Sequence, residues 1–77
     1  MKTLDEFIDL FAEQFDETNS SEIDAETKFH DLDEYSSLLA LSIIAMVDEE
    51  FDVVLKGDDM RKAVTVKDLY ETIKLKK

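Results

Sequence analysis

The 77-residue chain has no cysteine and no proline, and it has only one glycine and one histidine. Without cysteine it can form no disulfide and has no thiol of its own for catalysis, and one histidine cannot build a metal site. One glycine leaves no glycine-rich turn for the oxyanion hole that a Ser-His-Asp site needs. We therefore expect His30 to be a solvated loop residue, the protein not to be an enzyme, and no dedicated metal site to be present.

Long apolar runs are also missing, and no targeting leader is expected. No apolar segment approaches the ~20 residues that a membrane-spanning helix needs. The first residues include Asp5, Glu6 and Asp9, which secretion and transit signals avoid. The lack of cysteine leaves the redox compartment undecided, although it favours the cytosol. We expect a single domain over residues 1–77 that is cytoplasmic, monomeric and without a membrane span.

Basic residues are scarce in the first 55 positions. That segment has sixteen acidic residues and two lysines, a net charge of −14, whereas residues 56–77 have seven basic and four acidic residues, a net charge of +3. A field this negative repels phosphate backbones, so nucleic-acid binding is not expected. The acidity suits partners with basic patches, although solubility alone would also account for it.

The chain opens with a predicted helix. Thr3 and Glu6 have the T-x-x-E spacing of a capping box, and an apolar stripe follows at helical spacing as far as Phe15. The helix is expected to end near residues 16–17. Residues 18–35 show no regular period, so they predict a long ordered loop, with a short helical turn possible near residues 24–28.

Residues 34–51 predict a second helix, capped by Ser36 or Ser37, that is apolar on two sides. The side assigned to the core consists of Ala40, Ile43, Ile44, Val47 and Phe51. The other side consists of Leu38, Leu41 and Ala45, in line with Glu49 and Asp52. An exposed serine at a helix N-terminus, where the dipole favours a phosphate, lies beside this second stripe. This layout suggests a docking surface around a covalent attachment point; a plain helix cap is the simpler alternative.

The last third of the chain predicts an extended connector at residues 53–55 and a short helix at 58–62. Thr65 and Asp68 form another capping box, which begins a last helix expected to fray over residues 75–77. No alternating strand pattern is present. The prediction is an all-α fold, a small four-helix bundle with three main helices, one short helix and a long first loop.

The order and spacing of these motifs resemble the acyl carrier protein family over essentially the whole chain. Residues 27–38, T-K-F-H-D-L-D-E-Y-S-S-L, are similar to a branch of that family that usually has T-K-F-x-D-L-x-E-W-D-S-L. Residues 45–51, 57–59 and 65–69 also match. The family has its attachment serine within Asp-Ser-Leu, so Ser36 stands where an Asp is expected. The spacing along the helix to Phe51 selects Ser37 as the attachment serine.

The resemblance implies a carrier. A phosphopantetheinyl transferase would attach 4′-phosphopantetheine to Ser37, and the thiol of that cofactor would hold an acyl or related group for acyl-transferring or synthase enzymes with basic patches. The implied partner-binding residues are Ser36, Leu38, Leu41, Ala45, Asp48, Glu49 and Asp52. The implied acyl-pocket residues are Phe29, Ile43, Ile44, Val47, Leu55, Ala63 and Tyr70.

Two other functions stay open. The chain could be a protein-interaction module of carrier fold that is never modified, which the substitution at Ser36 favours. It could also be an acidic mimic of nucleic acid, although that function leaves the apolar stripe beside Ser37 unexplained. The residues do not indicate the cargo of a carrier.

Overall fold

The computed structural model describes all 77 residues and contains four α-helices and no strands. The helices are α1 (Leu4–Glu13), α2 (Ser37–Phe51), α3 (Gly57–Lys62) and α4 (Val66–Lys76). Two 3-10 turns, Ser20–Glu22 and Phe29–Asp31, lie within the long connection between α1 and α2. The predicted all-α fold with four helices is confirmed. None of the helices combines the length and the apolar character needed to cross a bilayer.

Local capping signals define the starts of α1 and α4. The Thr3 hydroxyl accepts a hydrogen bond from the Glu6 N–H at 3.2 Å, and the Glu6 carboxylate accepts one from the Thr3 N–H at 2.8 Å. Thr65 and Asp68 make the same reciprocal pair at 3.1 Å in both directions. Each box satisfies backbone donors that have no partner inside the helix, which is why both starts are predictable from sequence.

One hydrophobic cluster of 17 buried residues joins the helices to the long loop. Phe7 of α1 is fully buried, and the centroid of its ring lies 5.6 Å from that of Phe51 and 5.7 Å from that of Tyr70. Phe29 of the loop packs edge-on against Phe11 at 5.5 Å. The loop is therefore anchored to the core by its own apolar side chains, which keeps the start of α2 in a fixed place.

The long loop is also bonded to the first turn of α4. The Val66 N–H donates to the Thr27 carbonyl at 3.1 Å, and the Lys67 N–H donates to the Ala25 carbonyl at 3.0 Å. These N–H groups belong to the first turn of α4 and have no partner within that helix. The loop supplies the missing acceptors and is held against α4 as a result.

The helical turn considered possible near residues 24–28 does not form. Residues 24–27 form a turn closed by one hydrogen bond, from the Thr27 N–H to the Asp24 carbonyl at 3.2 Å. The 3-10 turns lie on either side of it, at Ser20–Glu22 and Phe29–Asp31. The carbonyls of this segment bond to α4, so they are not available to continue a helix.

Two helix ends also differ from prediction. α1 ends at Glu13, about one turn before residues 16–17, because the backbone that follows bonds to a side chain from another part of the loop. α4 is helical as far as Lys76, so of the residues expected to fray only Lys77 lies outside the helix. Its end is held by the Lys76 ammonium, which lies 3.2 Å from the Asp59 carboxylate of α3.

Candidate functional site

Ser36 and Ser37 have different roles at the start of α2. Ser36 is the N-cap, with an extended backbone, and its hydroxyl accepts a hydrogen bond from the Leu39 N–H at 3.3 Å. Ser37 is the first residue of the helix, and it is exposed. The Ser36 oxygen is engaged in the cap, whereas the Ser37 hydroxyl makes no hydrogen bond within the chain and is accessible to an incoming group.

The first turn of α2 has unsatisfied backbone donors beside the Ser37 hydroxyl. The Leu39 N–H bonds to the Ser36 hydroxyl, and the Ala40 N–H bonds to the Ser36 carbonyl at 2.9 Å. The N–H groups of Ser37 and Leu38 have no acceptor within the chain, as is usual for the first two residues of a helix. Together with the positive end of the helix dipole, they favour an oxyanion at this place.

A groove of about 380 Å³ opens next to Ser37, between α2 and α3. Its lining residues are His30, Tyr35, Ser37, Ala40, Leu41, Ile44, Gly57, Met60 and Arg61. A depression of about 410 Å³ elsewhere is mostly acidic, and Leu32 is its only apolar lining residue. The groove beside Ser37 is therefore the better place for a partly apolar ligand, because α2 supplies Leu41 and Ile44 to its wall.

Glu34 fixes the segment that leads into Ser37. Its carboxylate accepts hydrogen bonds from the backbone N–H groups of Asp16 at 2.6 Å, Thr18 at 2.7 Å and Glu17 at 3.0 Å. Partial burial raises the pKa of the Glu34 carboxyl, but the three N–H donors stabilise its charged form more, so the pKa lies below the ordinary value of 4.5. The ionised side chain thus joins the end of α1 to the start of α2.

The residues predicted to bind partners all lie on the surface. The exposed set consists of Ser36, Leu38, Leu41, Ala45, Asp48, Glu49 and Asp52. Leu38 and Leu41 leave 76% and 62% of their surface exposed, which is unusual for large apolar side chains. The two leucines border different depressions, since Leu41 lines the groove beside Ser37 and Leu38 lines a second one with Glu34 and Ser36.

The residues predicted to form an acyl pocket lie mostly in the packed core. The five buried ones are Phe29, Ile43, Val47, Leu55 and Ala63. Tyr70 is half-buried near the N-terminus, where its ring packs against Phe7 and its hydroxyl donates to the Lys2 carbonyl at 2.6 Å. Of the predicted set, only Ile44 lines the groove beside Ser37.

The other walls of the groove were missed by reasoning from the sequence. His30 and Tyr35 come from the long loop, and Met60 and Arg61 come from α3. The helical period of α2 reveals which of its own residues share a side, but not what the neighbouring elements place opposite them. The one available signal is Met60, a lone apolar residue between two acidic and two basic ones in a short predicted helix.

A four-helix fold with an accessible serine at the start of its second helix has the arrangement of a carrier domain, since the serine hydroxyl is exposed at the edge of a groove. The family model described as phosphopantetheine attachment site matches residues 5–73, a stretch that includes Ser36 and Ser37. The chain therefore belongs to this family of phosphopantetheine-bearing carriers, as its resemblance to acyl carrier proteins predicts. The prosthetic group of the family is covalently attached 4′-phosphopantetheine. A search of the curated proteins gave no match.

Proposed function

We propose that this protein is an acyl carrier, in which Ser37 bears 4′-phosphopantetheine and the loaded arm is presented to acyl-transferring or synthase enzymes. The observation that carries the proposal is the accessible Ser37 hydroxyl at the first position of α2, within the residues that match the family. Ser36 is the poorer acceptor because its oxygen caps the helix through the Leu39 N–H. The chain itself acts as a carrier and not as an enzyme.

The residues around Ser37 suit this prosthetic group. The accessible hydroxyl can become one ester of a phosphodiester, and the N–H groups of Ser37 and Leu38 stabilise the negative charge there. When bound, the group supplies the thiol that a chain without cysteine lacks, and that thiol holds the cargo as a thioester. The adjoining groove offers the side chains of Leu41 and Ile44 to the apolar part of the arm or its cargo.

The attachment step uses the Ser37 hydroxyl as the nucleophile. A new bond forms between its oxygen and a phosphorus of coenzyme A, and the pyrophosphate bond of coenzyme A breaks. The hydroxyl proton passes to a base of the transferase, and the adenosine bisphosphate half leaves. This chain contributes two things to the step. The Ser37 oxygen is unhindered, and the Ser36 cap keeps α2 helical up to its first residue.

Docking is assigned to the exposed stripe of α2 and the acidic residues after it. An enzyme with a basic rim would pair with Asp48, Glu49 and Asp52 and would bury Leu38 and Leu41. The net charge of −14 on residues 1–55 would attract such an enzyme over a distance. Exposed leucines next to the attachment site are the side chains whose burial would contribute most to affinity.

The acyl pocket is proposed as a space that opens from the groove. Ile44 lies at the boundary, because it lines the groove and packs against the core cluster. Cargo that extends past Ile44 would have to displace buried side chains such as Ile43 and Val47. Such displacement disrupts core packing, so short cargo fits the groove with less rearrangement than long cargo.

The experiment that tests the proposal is a mass measurement after incubation with coenzyme A and a broad-specificity transferase. The expected result is a gain of one phosphopantetheine that is absent in Ser37→Ala and present in Ser36→Asn. The Asn variant is the matched control, since it removes the hydroxyl but keeps an oxygen that can cap the helix. Loss of the gain only in Ser36→Asn would move the site to Ser36. No gain with several transferases would reject the carrier function.

An unmodified interaction module of the same fold is the second candidate, and Ser36 is the observation that favours it. The similar branch of the family has an acidic residue directly before its attachment serine, where it helps to engage the transferase, and Ser36 has no charge. Under this alternative the native chain gains no mass. A gain that appears only in Ser36→Asp would then identify the missing carboxylate as the reason.

A further inference from the structure

His30 joins the long loop to the C-terminal end of α3. Its Nε2 atom lies 2.9 Å from the Met60 carbonyl oxygen and 2.9 Å from the Ala63 carbonyl oxygen. Because both partners are acceptors, Nε2 must carry the hydrogen and donate it to both. Met60 and Ala63 lie at the end of a helix, where carbonyl groups lack partners within the helix. His30 therefore acts as a cap for α3 from a position 30 residues earlier in the chain.

The orientation of the His30 ring is fixed by two aromatic neighbours. Its centroid lies 4.4 Å from that of Phe29 in a stacked arrangement and 5.1 Å from that of Tyr35 in an edge-on arrangement. Phe29 is fully buried, so the stack is attached to the core. His30 is exposed, as expected of a solvated loop residue, but its ring is also hydrogen-bonded and packed, which the sequence does not predict.

His30 and α3 both border the groove next to Ser37. His30, Tyr35 and Met60 line it from the loop and α3, opposite Leu41 and Ile44 of α2. α3 has six residues, which is too few for a helix to be stable without tertiary contacts. The position of this wall must then depend on the contacts that hold α3, and His30 supplies two of them.

We propose that His30 is a positioning residue: by capping α3 it sets the width of the groove that receives the arm and its cargo. The effect on cargo rests on the proposed carrier function, whereas the effect on α3 does not. His30 forms no bond with the cargo in this proposal. It acts only through the location of α3.

The first test uses the unmodified protein and compares native chain, His30→Leu and His30→Gln. Leu keeps apolar packing but cannot donate a hydrogen bond, whereas the Gln amide has two N–H groups for the two carbonyls. The measurement is amide hydrogen exchange of Met60 and Ala63, which bond to residues earlier in α3 and its cap. We expect exchange to be about five- to tenfold faster in His30→Leu, as the loss of one or two hydrogen bonds predicts, and close to native in His30→Gln.

The second test reports on the groove itself. Methyl chemical shifts of Leu41 and Ile44 should change in His30→Leu and return towards native values in His30→Gln. The matched control is Asp31→Asn, an exposed neighbour that should alter neither the exchange rates nor these shifts. In protein loaded with a short acyl group, thioester hydrolysis should be faster in His30→Leu than in His30→Gln.

The outcomes separate this inference from the carrier function. Unchanged exchange in His30→Leu, or no recovery in His30→Gln, overturns the role of His30 in placing α3. Unchanged methyl shifts or equal hydrolysis rates overturn its effect on the groove. If the exchange and shift results are as expected but Ser37 never accepts phosphopantetheine, the carrier function fails and the positioning of the groove by His30 stands.

Discussion

The Glu34 carboxylate accepts a hydrogen bond from the Thr18 N–H at 2.7 Å, a contact between residues 16 positions apart. The same side chain accepts the N–H groups of Asp16 and Glu17. One carboxylate thereby shapes the turn after α1 and holds the segment just before Ser37. Its charge is central to this arrangement, because a neutral side chain of the same size accepts N–H groups less strongly.

Glu34→Gln should destabilise the protein more at neutral pH than in acid. Burial raises the pKa of Glu34, but the N–H donors lower it more, so the pKa in the folded protein lies below 4.5. The contribution of Glu34 to the free energy of unfolding is therefore fully present above the pKa of the unfolded chain. It is lost as the pH falls through the lower pKa of the folded protein. Urea unfolding at pH 7 and at about pH 3 measures the difference. The control Asp33→Asn changes an exposed carboxylate and should show little effect at either pH. A deficit of Glu34→Gln that is equal at both pH values would contradict the prediction.

Asp52 ends α2 in the left-handed conformation, with φ of 57° and ψ of 40°. It is the only residue with positive φ, a region that suits glycine better than any residue with a Cβ atom. Asp52→Gly should therefore stabilise the protein by roughly 0.5–1 kcal/mol. Asn tolerates the left-handed conformation about as well as Asp but has no charge. The free energy of unfolding of Asp52→Asn, measured in urea, should therefore be close to the native value.

The same pair of variants tests the proposed docking role of Asp52. Both remove the carboxylate, so both should lower kcat/KM for a transferase with a basic rim by a similar factor, although their stabilities differ. High salt should reduce the difference in kcat/KM between these variants and the native chain, because salt screens the attraction between charges. Equal kcat/KM in all three proteins would remove Asp52 from the docking surface.

The parts of the fold that were predictable are those set by neighbours in sequence. The pair Thr3 and Glu6 was identified at the start of α1 because a capping box spans only four positions. The exposure of Leu38 and Leu41 followed from the helical period, since no single core can receive both sides of α2. The choice of Ser37 as the attachment serine stays a prediction, made from its spacing to Phe51 in the resemblance to acyl carrier proteins.

The features that the sequence did not predict depend on contacts between residues far apart in the chain. The early end of α1 reflects the hydrogen bonds that backbone N–H groups donate to Glu34, and the persistence of α4 to its last turn reflects the pair Lys76 and Asp59. The role of His30 was missed because the carbonyls it caps lie 30 and 33 residues away. None of these contacts leaves a periodic signal in the sequence.

The only glycine is not required by the backbone. Gly57 is the first residue of α3 and has no positive φ, and a Cβ atom added there would lie at an ordinary contact distance, 3.6 Å, from a guanidinium nitrogen of Arg61. Gly57→Ala should stabilise the protein by about 0.4–1 kcal/mol, since it restricts the unfolded chain. Thermal unfolding should show a Tm higher by a few degrees, about 4–8 °C per kcal/mol for a domain of this size. A lower Tm would contradict this prediction.

Leu38→Ala should separate docking from stability. Its side chain is mostly exposed, so the free energy of unfolding should change by less than about 0.5 kcal/mol. If it is buried by the transferase as proposed, kcat/KM should fall by about fivefold or more, the factor expected for a loss above about 1 kcal/mol. Val54→Ala is the matched control, an exposed aliphatic residue outside α2, and should change neither quantity. Equal kcat/KM for Leu38→Ala and the native chain would exclude Leu38 from the interface.

Both ends of α3 make contacts with residues outside the helix. At its start the Asp59 carboxylate accepts the Lys56 N–H at 2.9 Å and pairs with the Lys76 ammonium of α4, and at its end His30 donates to two carbonyls. We expect such a helix to form only after the loop and α4 are in place, late on the folding pathway. Asp59→Ala should therefore speed unfolding in stopped-flow measurements and leave the refolding rate nearly unchanged. The wall of the groove would then be the last part of the molecule to fold and the first to unfold.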